Sequence, residues 1–124
     1  MVIYHHGIMP GMDLTLDGLT LHVTDLERSV DFYRRLPGAH LAIHRPPRFA
    51  LFEIGGTLLG LLAWRSPGFH VEMTAPDLDR LHDQLVDAGI TPLGPPKVRV
   101  WGERTLELSD PDGHRIEIDD GTRA

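Results

Sequence analysis

The chain contains no cysteine, and this absence excludes disulfides, thiolate metal sites and thiol catalysis. Histidine, aspartate and glutamate remain as possible metal ligands and proton carriers. Proteins of reducing compartments rarely contain disulfides, so this composition is typical of such a compartment. Its opening residues also lack the basic start and long apolar middle of a secretory signal. We therefore expect a cytoplasmic protein.

Two further absences exclude classes of partner. No apolar run in the sequence is long enough to cross a bilayer, so no membrane partner is expected. The chain carries 12 Lys and Arg against 18 Asp and Glu, a net charge of −6. It also lacks the basic cluster that the phosphates of nucleic acid require. Binding to a polyanion is therefore not expected.

The length of 124 residues fits one domain. Residues 1–12 show no clear period and are interpreted as an N-terminal extension to a single domain at 13–124. Residues 19–23 alternate apolar and polar side chains, which predicts a half-buried strand. Asp25 then caps a predicted helix that ends before Pro37. Three strands are predicted to follow, at 39–44, 49–54 and 57–64.

The same pattern begins again with an alternating strand at 69–74, followed by a capping Asp77 and a helix. The predicted buried positions of that helix are Leu78, Leu81, Leu85 and Val86. Strands are predicted at 97–100, 104–109 and 115–119. The chain is thus read as two βαβββ modules, 14–65 and 68–119, of an α+β fold. Neither module buries the sheet face opposite its helix alone, so we expect a curved mixed sheet that forms a cup, paired in a homodimer.

Two segments carry a resemblance to a known family. Residues 19–33, LTLHVTDLERSVDFY, resemble the opening of glyoxalase, bleomycin-resistance and extradiol-dioxygenase domains, and residues 110–117, DPDGHRIE, resemble their final hairpin. With the internal repeat, the resemblance to this vicinal oxygen chelate superfamily covers about residues 14–119 and implies its fold. It does not imply one reaction, because a scaffold of this kind hosts many chemistries.

Metal-using members of the family take ligands from the first and last strand of each half. By resemblance, His70 and Glu117 match the two positions of the second half, as ligands for Zn, Mn, Ni or Fe. Strand alternation supports the match, because apolar neighbours such as Val71 and Ile116 should face the helix. Glu72 shares the face of His70, and is interpreted as a general base, a substitute ligand or a member of a charge pair.

The first half departs from the family pattern. Alignment of the two helix caps places Gly18 opposite His70, and alignment of the two hairpins places Gly60 opposite Glu117. Glycine has no side chain to offer a metal. One histidine and one carboxylate are too few for the usual three- or four-ligand sites, so the expectation from sequence is that no cofactor is bound.

His22 shares a strand face with Gly18 and is the natural replacement ligand. Four residues of strand separate the two, roughly 13 Å at about 3.3 Å per residue, which argues against it. We interpret His22 as a hydrogen-bonded or ligand-binding residue, since a residue at this place binds substrate in glutathione-using relatives. Five further histidines are assigned to the surface, because they fit no ligand spacing or lie in a turn: His5, His6, His40, His44 and His114.

Other side chains are predicted to line the cup. If Gly60 faces the cup, the alternation of side chains along its strand places apolar residues on the same wall. The opposite wall is acidic, and such a cup suits an aromatic or cationic ligand. Trp64 and Trp101 are interpreted either as stacking partners for a flat ring or as ordinary packing. The segment 45–48 is interpreted either as a loop that flanks the opening of the cup or as only a bend. The predicted lining consists of Leu58, Leu62 and Trp64 on one side and Glu72, Glu107, Arg115 and Glu117 on the other.

Two functions stay open at this point. The sequence favours, by a small margin, a metal-independent binding protein of the bleomycin-resistance type, because glycines occupy two ligand positions. The alternative is an enzyme of the lyase, isomerase or dioxygenase type, in which His70 and Glu117 hold a divalent metal with help from Glu72 or His22. A metal-free enzyme would use Glu72 or Glu117 as its base.

Overall fold

The computed structural model describes residues 14–100 and 102–121. The predicted extension at 1–12, with His5 and His6, and Trp101 lie outside the described residues. No helix in the described part of the chain is long and apolar enough to span a bilayer.

Within residues 14–100 and 102–121, eight strands and two helices follow one another in the order that the repeat predicts, so the two βαβββ modules of an α+β fold are confirmed. In chain order the elements are β1 (Thr15–Val23), α1 (Leu26–Arg34), β2 (Ala39–Arg45), β3 (Phe49–Ile54), β4 (Thr57–Ala63), β5 (Gly68–Thr74), α2 (Leu78–Asp87), β6 (Lys97–Val98), β7 (Arg104–Ser109) and β8 (Arg115–Asp119).

The chain forms two compact units. One consists of residues 17–71, and the other combines residues 72–121 with the described residues before position 17. The division falls inside β5, between Val71 and Glu72, and not at the predicted module boundary. β5 therefore contributes its first half to one unit and its second half to the other.

In the unit of residues 17–71 the strand order is β2-β3-β4-β1, followed by the start of β5. β1 and β4 run parallel, whereas β3 is antiparallel to β2 and to β4, which makes the sheet mixed.

Asp25 caps α1 by accepting a hydrogen bond from the backbone N–H of Arg28. Leu21 and Val23 pack on the α1 core, but Leu19 is 39% exposed, so only the second half of the predicted core face of 19–23 is covered. The buried core comprises Leu26, Val30, Ala50, Phe52 and Leu61.

An irregularity in β2 changes which side chains share a face. Leu41 pairs with Phe52, but the register shifts so that Ile43 pairs with Leu51. The extra residue, Ala42, forms a bulge. Because of it, Ile43 joins the face of Leu51, which is opposite the helix, while Leu41 stays in the core.

In the second unit the end of β5 is followed by β8, β7 and β6. Asp77 caps α2 through the backbone N–H of Arg80. The prediction for Val86 was wrong, since its side chain is 52% exposed and points away from the apolar stripe of α2. β6 is also shorter than the predicted strand at 97–100. The buried core comprises Ala75, Leu78, Leu81, Leu85, Leu106, Leu108 and Ile118.

Candidate metal site and its surroundings

Two glutamates approach each other on the face of the second unit that is turned away from α2. Met73 on β5 and Ile116 on β8 pack against the α2 core. Side chains alternate along a strand, so Glu72 and Glu117 lie on the opposite face. One carboxylate oxygen of Glu72 lies within 4.8 Å of one of Glu117. Both residues are half-buried, and two carboxylates this close to each other offer oxygen ligands to a cation.

His70 precedes Glu72 by two residues on β5 and faces the same side of the strand. His70 is the second-last residue of the first unit, and Glu72 is the first residue of the segment 72–121 in the second. Imidazole nitrogens and carboxylate oxygens are donor types that Zn, Mn, Fe and Ni accept in proteins. The sequence named His70 and Glu117 as candidate ligands and Glu72 as a general base, a substitute ligand or a member of a charge pair, and the approach of Glu72 to Glu117 is compatible with the substitute-ligand role. The sequence feature that points to Glu72 is its spacing of two residues from His70, which places both side chains on one face of the strand.

Gly18 in β1 and Gly60 in β4 occupy the positions at which metal-using members of the family have ligands in the first half of the domain. Gly18 has a φ of +153°, and a Cβ there would overlap the carbonyl oxygen of Leu58, its partner in the β1–β4 ladder. A Cβ at Gly60 would lie only 2.7 Å from Oγ1 of Thr20. Neither position has room for a side chain, so neither supplies a ligand.

His22 lies on β1 beside Leu62 of β4. Its Nε2 is 3.0 Å from Nδ1 of His70, a hydrogen-bonding distance. Its ring also lies 5.9 Å from that of Trp64. In the described part of the chain, His22 belongs to no group of three side chains with metal-ligand spacing. The structure thus places it as the hydrogen-bonded histidine that the strand distance favoured.

The apolar side chains predicted from the alternation of β4 lie on the expected face. Leu59 and Leu61 pack on the α1 core, so Leu58 and Leu62 face the other way. Trp64 comes just after the strand and is 48% exposed. It borders an open depression of about 420 Å³ beside the bend at 45–48. The lining of this depression is Pro47, Arg48, Ala63, Trp64 and Arg65.

Glu107 has two partners that limit its use as an acidic contact for a ligand. Arg99 and Arg115 bind its carboxylate, with nitrogen–oxygen distances of 2.9 and 2.6 Å. Burial alone would raise the pKa of Glu107, but the hydrogen bonds from the two guanidiniums outweigh it and lower the pKa below its ordinary value. Glu107 and Arg115 are thus paired with each other, and their role in ligand binding stays a prediction.

Arg99 was missed by the sequence analysis. It follows the short strand β6, donates its backbone N–H to Glu103 and holds Thr105 through its side chain at 2.7 Å. No local pattern marks it, because its partners are set by how the chain after β6 pairs with β7.

Two histidines assigned to the surface have acidic partners there. His44 lies 2.8 Å from Glu27 of α1, and His114 lies 2.7 Å from Asp110 in the β7–β8 turn. The hydrogen bond from His114 lowers the pKa of Asp110. Both contacts stabilise local turns or helix packing and leave these histidines without a place in the candidate site.

Comparisons with known proteins agree with this architecture. The family model described as the Glyoxalase/Bleomycin resistance protein/Dioxygenase superfamily matches residues 15–118. Metallothiol transferase FosB of Lysinibacillus sphaericus is 25% identical over 118 residues, which cover 87% of this chain and 83% of that relative. The FosB of Shouchella clausii is 28% identical, with 88% and 82% covered.

Among solved structures, methylmalonyl-CoA epimerase from Mycobacterium tuberculosis superposes with a TM-score of 0.71. The match covers 94% of each chain at 18% identity, so it supports the fold alone. The resemblance carried by residues 19–33 and 110–117 is thereby confirmed over nearly its whole expected span. The chain belongs to the Glyoxalase/Bleomycin resistance protein/Dioxygenase superfamily.

Proposed function

We propose that this protein is a metal-dependent enzyme that acts on a small molecule, with His70, Glu72 and Glu117 as the ligands of one divalent ion. The observation that carries the proposal is the approach of the Glu72 and Glu117 carboxylates within 4.8 Å, with His70 on the same face of the strand as Glu72. The sequence supplied two of these ligands. Glu72 replaces the ligand that Gly18 cannot provide.

The donor set fits such an ion in number and charge. Two carboxylates balance the charge of a divalent cation, and three protein ligands leave coordination positions for substrate, as is typical of catalytic sites. A bound ion would supply a Lewis acid for negative charge that develops on a substrate oxygen. Glu72 and Glu117 are also the carboxylates on this face that are placed to accept a proton. The apolar Leu58 and Leu62 suit the hydrophobic part of a substrate.

The curated relatives suggest which reaction to test first. They are named metallothiol transferases. Because this chain has no cysteine, a thiol taking part in such a reaction must be a second small molecule. We therefore infer a transfer in which the sulfur of that thiol bonds to an electrophilic carbon, the carbon releases its leaving group and the thiol proton passes to a carboxylate.

The deciding experiment is a metal titration of the purified, untagged full chain with Zn, Mn, Ni and ferrous iron, alongside elemental analysis. One ion per chain is expected. His70→Ala and Glu117→Gln should each weaken its binding at least about 100-fold, more than the 10–100-fold typical of residues that only support ligands. Glu53→Gln, an exposed glutamate of β3, is the matched control. Failure to bind any ion stoichiometrically, or binding that survives Glu117→Gln, would overturn the proposal.

A second function is favoured by one observation, the closure of the Gly18 position by the Leu58 carbonyl. On this reading the protein binds an aromatic or cationic small molecule without a metal and without converting it. The same titration separates the two functions, because a binding protein of this kind takes up no tight ion. The fluorescence of Trp64, whose ring is near His22, would then report ligand binding in a screen.

We also infer that the protein works in the cytoplasm as a homodimer. The lack of cysteine supports the compartment, and exposed leucines at the start of β1 support association. Leu14, Leu16 and Leu19 are 41%, 63% and 39% exposed. Sedimentation analysis of wild type against Leu16→Lys tests this, because a dimer that uses this strand should dissociate in the variant.

A further inference from the structure

Two imidazole rings, His22 on β1 and His70 on β5, are joined by a hydrogen bond of 3.0 Å. Their centroids lie 5.2 Å apart and their planes are inclined by 50°. A neutral imidazole has one N–H and one bare nitrogen, so one ring must donate and the other accept. This bond therefore determines which nitrogen of each ring carries a proton.

Two arrangements satisfy the bond, and they differ in what they leave at His70. If Nδ1–H of His70 donates to Nε2 of His22, then Nε2 of His70 holds a lone pair. If Nε2–H of His22 donates instead, Nδ1 of His70 is the acceptor and its Nε2 keeps a hydrogen. A metal ion binds only a bare imidazole nitrogen. The first arrangement alone prepares His70 as a ligand through Nε2.

The ring of His22 is held in place by its surroundings. Trp64 lies 5.9 Å from it on one side. At Gly68, the first residue of β5, an added Cβ would come within 3.2 Å of Nδ1 of His22. The strand backbone thus approaches the ring closely at a position without a side chain. A half-buried ring packed in this way keeps its Nε2 directed at His70.

We propose that His22 is a positioning residue that accepts the Nδ1–H of His70 and so holds His70 as the tautomer able to bind a metal through Nε2. This inference rests on the proposed metal site for its purpose, but the tautomer itself exists without any ion. A hydrogen-bonded partner of this kind also fixes the orientation of the ligand ring. His22 then influences metal binding without touching the metal.

The test is nitrogen-15 NMR of histidine-labelled, metal-free full chain, which distinguishes the Nδ1–H and Nε2–H tautomers of His70. Spectra are recorded over a range of pH, and the tautomer is assigned on the alkaline side, where the nitrogen-15 shifts no longer change with pH and both rings are neutral. Wild type should show the Nδ1–H tautomer. In His22→Phe, which keeps a ring but offers no acceptor, the population of the Nδ1–H tautomer of His70 should fall to a minor fraction. His22→Gln, whose amide oxygen can accept, should restore it.

Metal titration of the same three proteins gives the second readout. His22→Phe should bind the ion about 10-fold more weakly or worse, the cost typical of a lost supporting hydrogen bond, and His22→Gln should recover most of the affinity. His44→Phe, which alters another histidine of the same unit, is the control and should match wild type in both measurements.

The possible outcomes separate this inference from the proposed function. An Nε2–H tautomer at His70 in wild type, or a tautomer that His22→Phe leaves unchanged, overturns the role of His22 even if the metal binds. The expected tautomer in a protein that binds no ion overturns the proposed function and, with it, the purpose assigned to His22. The expected tautomer together with affinity lost in His22→Phe and regained in His22→Gln supports both.

Discussion

Glu107 on β7 stands directly opposite Glu117 on β8. Two carboxylates in such a cross-strand pair repel each other. Arg99 and Arg115 bind the first of them, which offsets this repulsion and leaves Glu117 as the residue directed to the candidate metal site.

The first prediction concerns stability and pH at Glu107. The lowered pKa means that ionised Glu107 stabilises the folded state above the unfolded pKa of about 4.3, and that this contribution is lost as pH falls through the folded value. Glu107→Gln should lower the free energy of unfolding by about 1–2 kcal/mol at pH 7, a value reduced for partial exposure. Urea unfolding at pH 7 and pH 3 checks it. The difference in unfolding free energy between Glu107→Gln and wild type should be smaller at pH 3 than at pH 7. A difference of the same size at both pH values would contradict the prediction.

A second prediction asks whether Glu72 binds metal or only moves protons. One of its carboxylate oxygens lies within 4.8 Å of one of Glu117, so Glu72→Gln should weaken ion binding by at least about 10-fold. Isothermal titration measures the affinity, with Glu53→Gln as the comparison. Unchanged affinity with lost activity would make Glu72 the base and leave only two protein ligands.

Gly18 should tolerate no side chain. Its φ of +153° and the clash of an added Cβ with the Leu58 carbonyl act together, and Gly18→Ala should cost at least about 3 kcal/mol of unfolding free energy. Gly94→Ala, where a Cβ meets nothing within 4 Å, should stay within about 0.5 kcal/mol of wild type. Chemical denaturation measures the unfolding free energy of both variants. Equal losses would show that the backbone of β1 and β4 can shift to accommodate a side chain at position 18.

Adjacent residues of α2 should respond in opposite ways to truncation. Leu85 is 8% exposed, whereas Val86 is 52% exposed. Leu85→Ala should cost about 2–4 kcal/mol because it leaves a cavity in the core. Val86→Ala should be neutral or slightly stabilising, since alanine is the better helix former. Thermal unfolding monitored by circular dichroism ranks the pair, and a large loss at Val86 would mean that its face is covered in solution.

Local periodicity explains what the sequence could predict. The two-residue alternation of a strand depends on no other part of the chain, so the shared face of His70 and Glu72 and the placement of Glu117 were predictable. The capping roles of Asp25 and Asp77 were predictable for the same reason, because a cap bonds to a backbone N–H three residues away.

The remaining features depend on contacts between distant residues. The partners of Glu107 are set by the pairing of β7 with β8 and with the segment that holds Arg99. The bond between His22 and His70 joins residues 48 positions apart. Val86 was misassigned because it lies at the margin of the helical stripe that Leu78, Leu81 and Leu85 define, where periodicity does not decide burial.

The bulge at Ala42 has a consequence for the behaviour of the protein at high concentration. β2 is the edge strand of one unit, and β6, with two residues, is the edge strand of the other. A bulged strand and a very short one are both poor templates for hydrogen bonding to a strand of another molecule. Both edges therefore resist pairing with another chain, and deletion of Ala42, which would straighten β2, should increase aggregation as measured by light scattering.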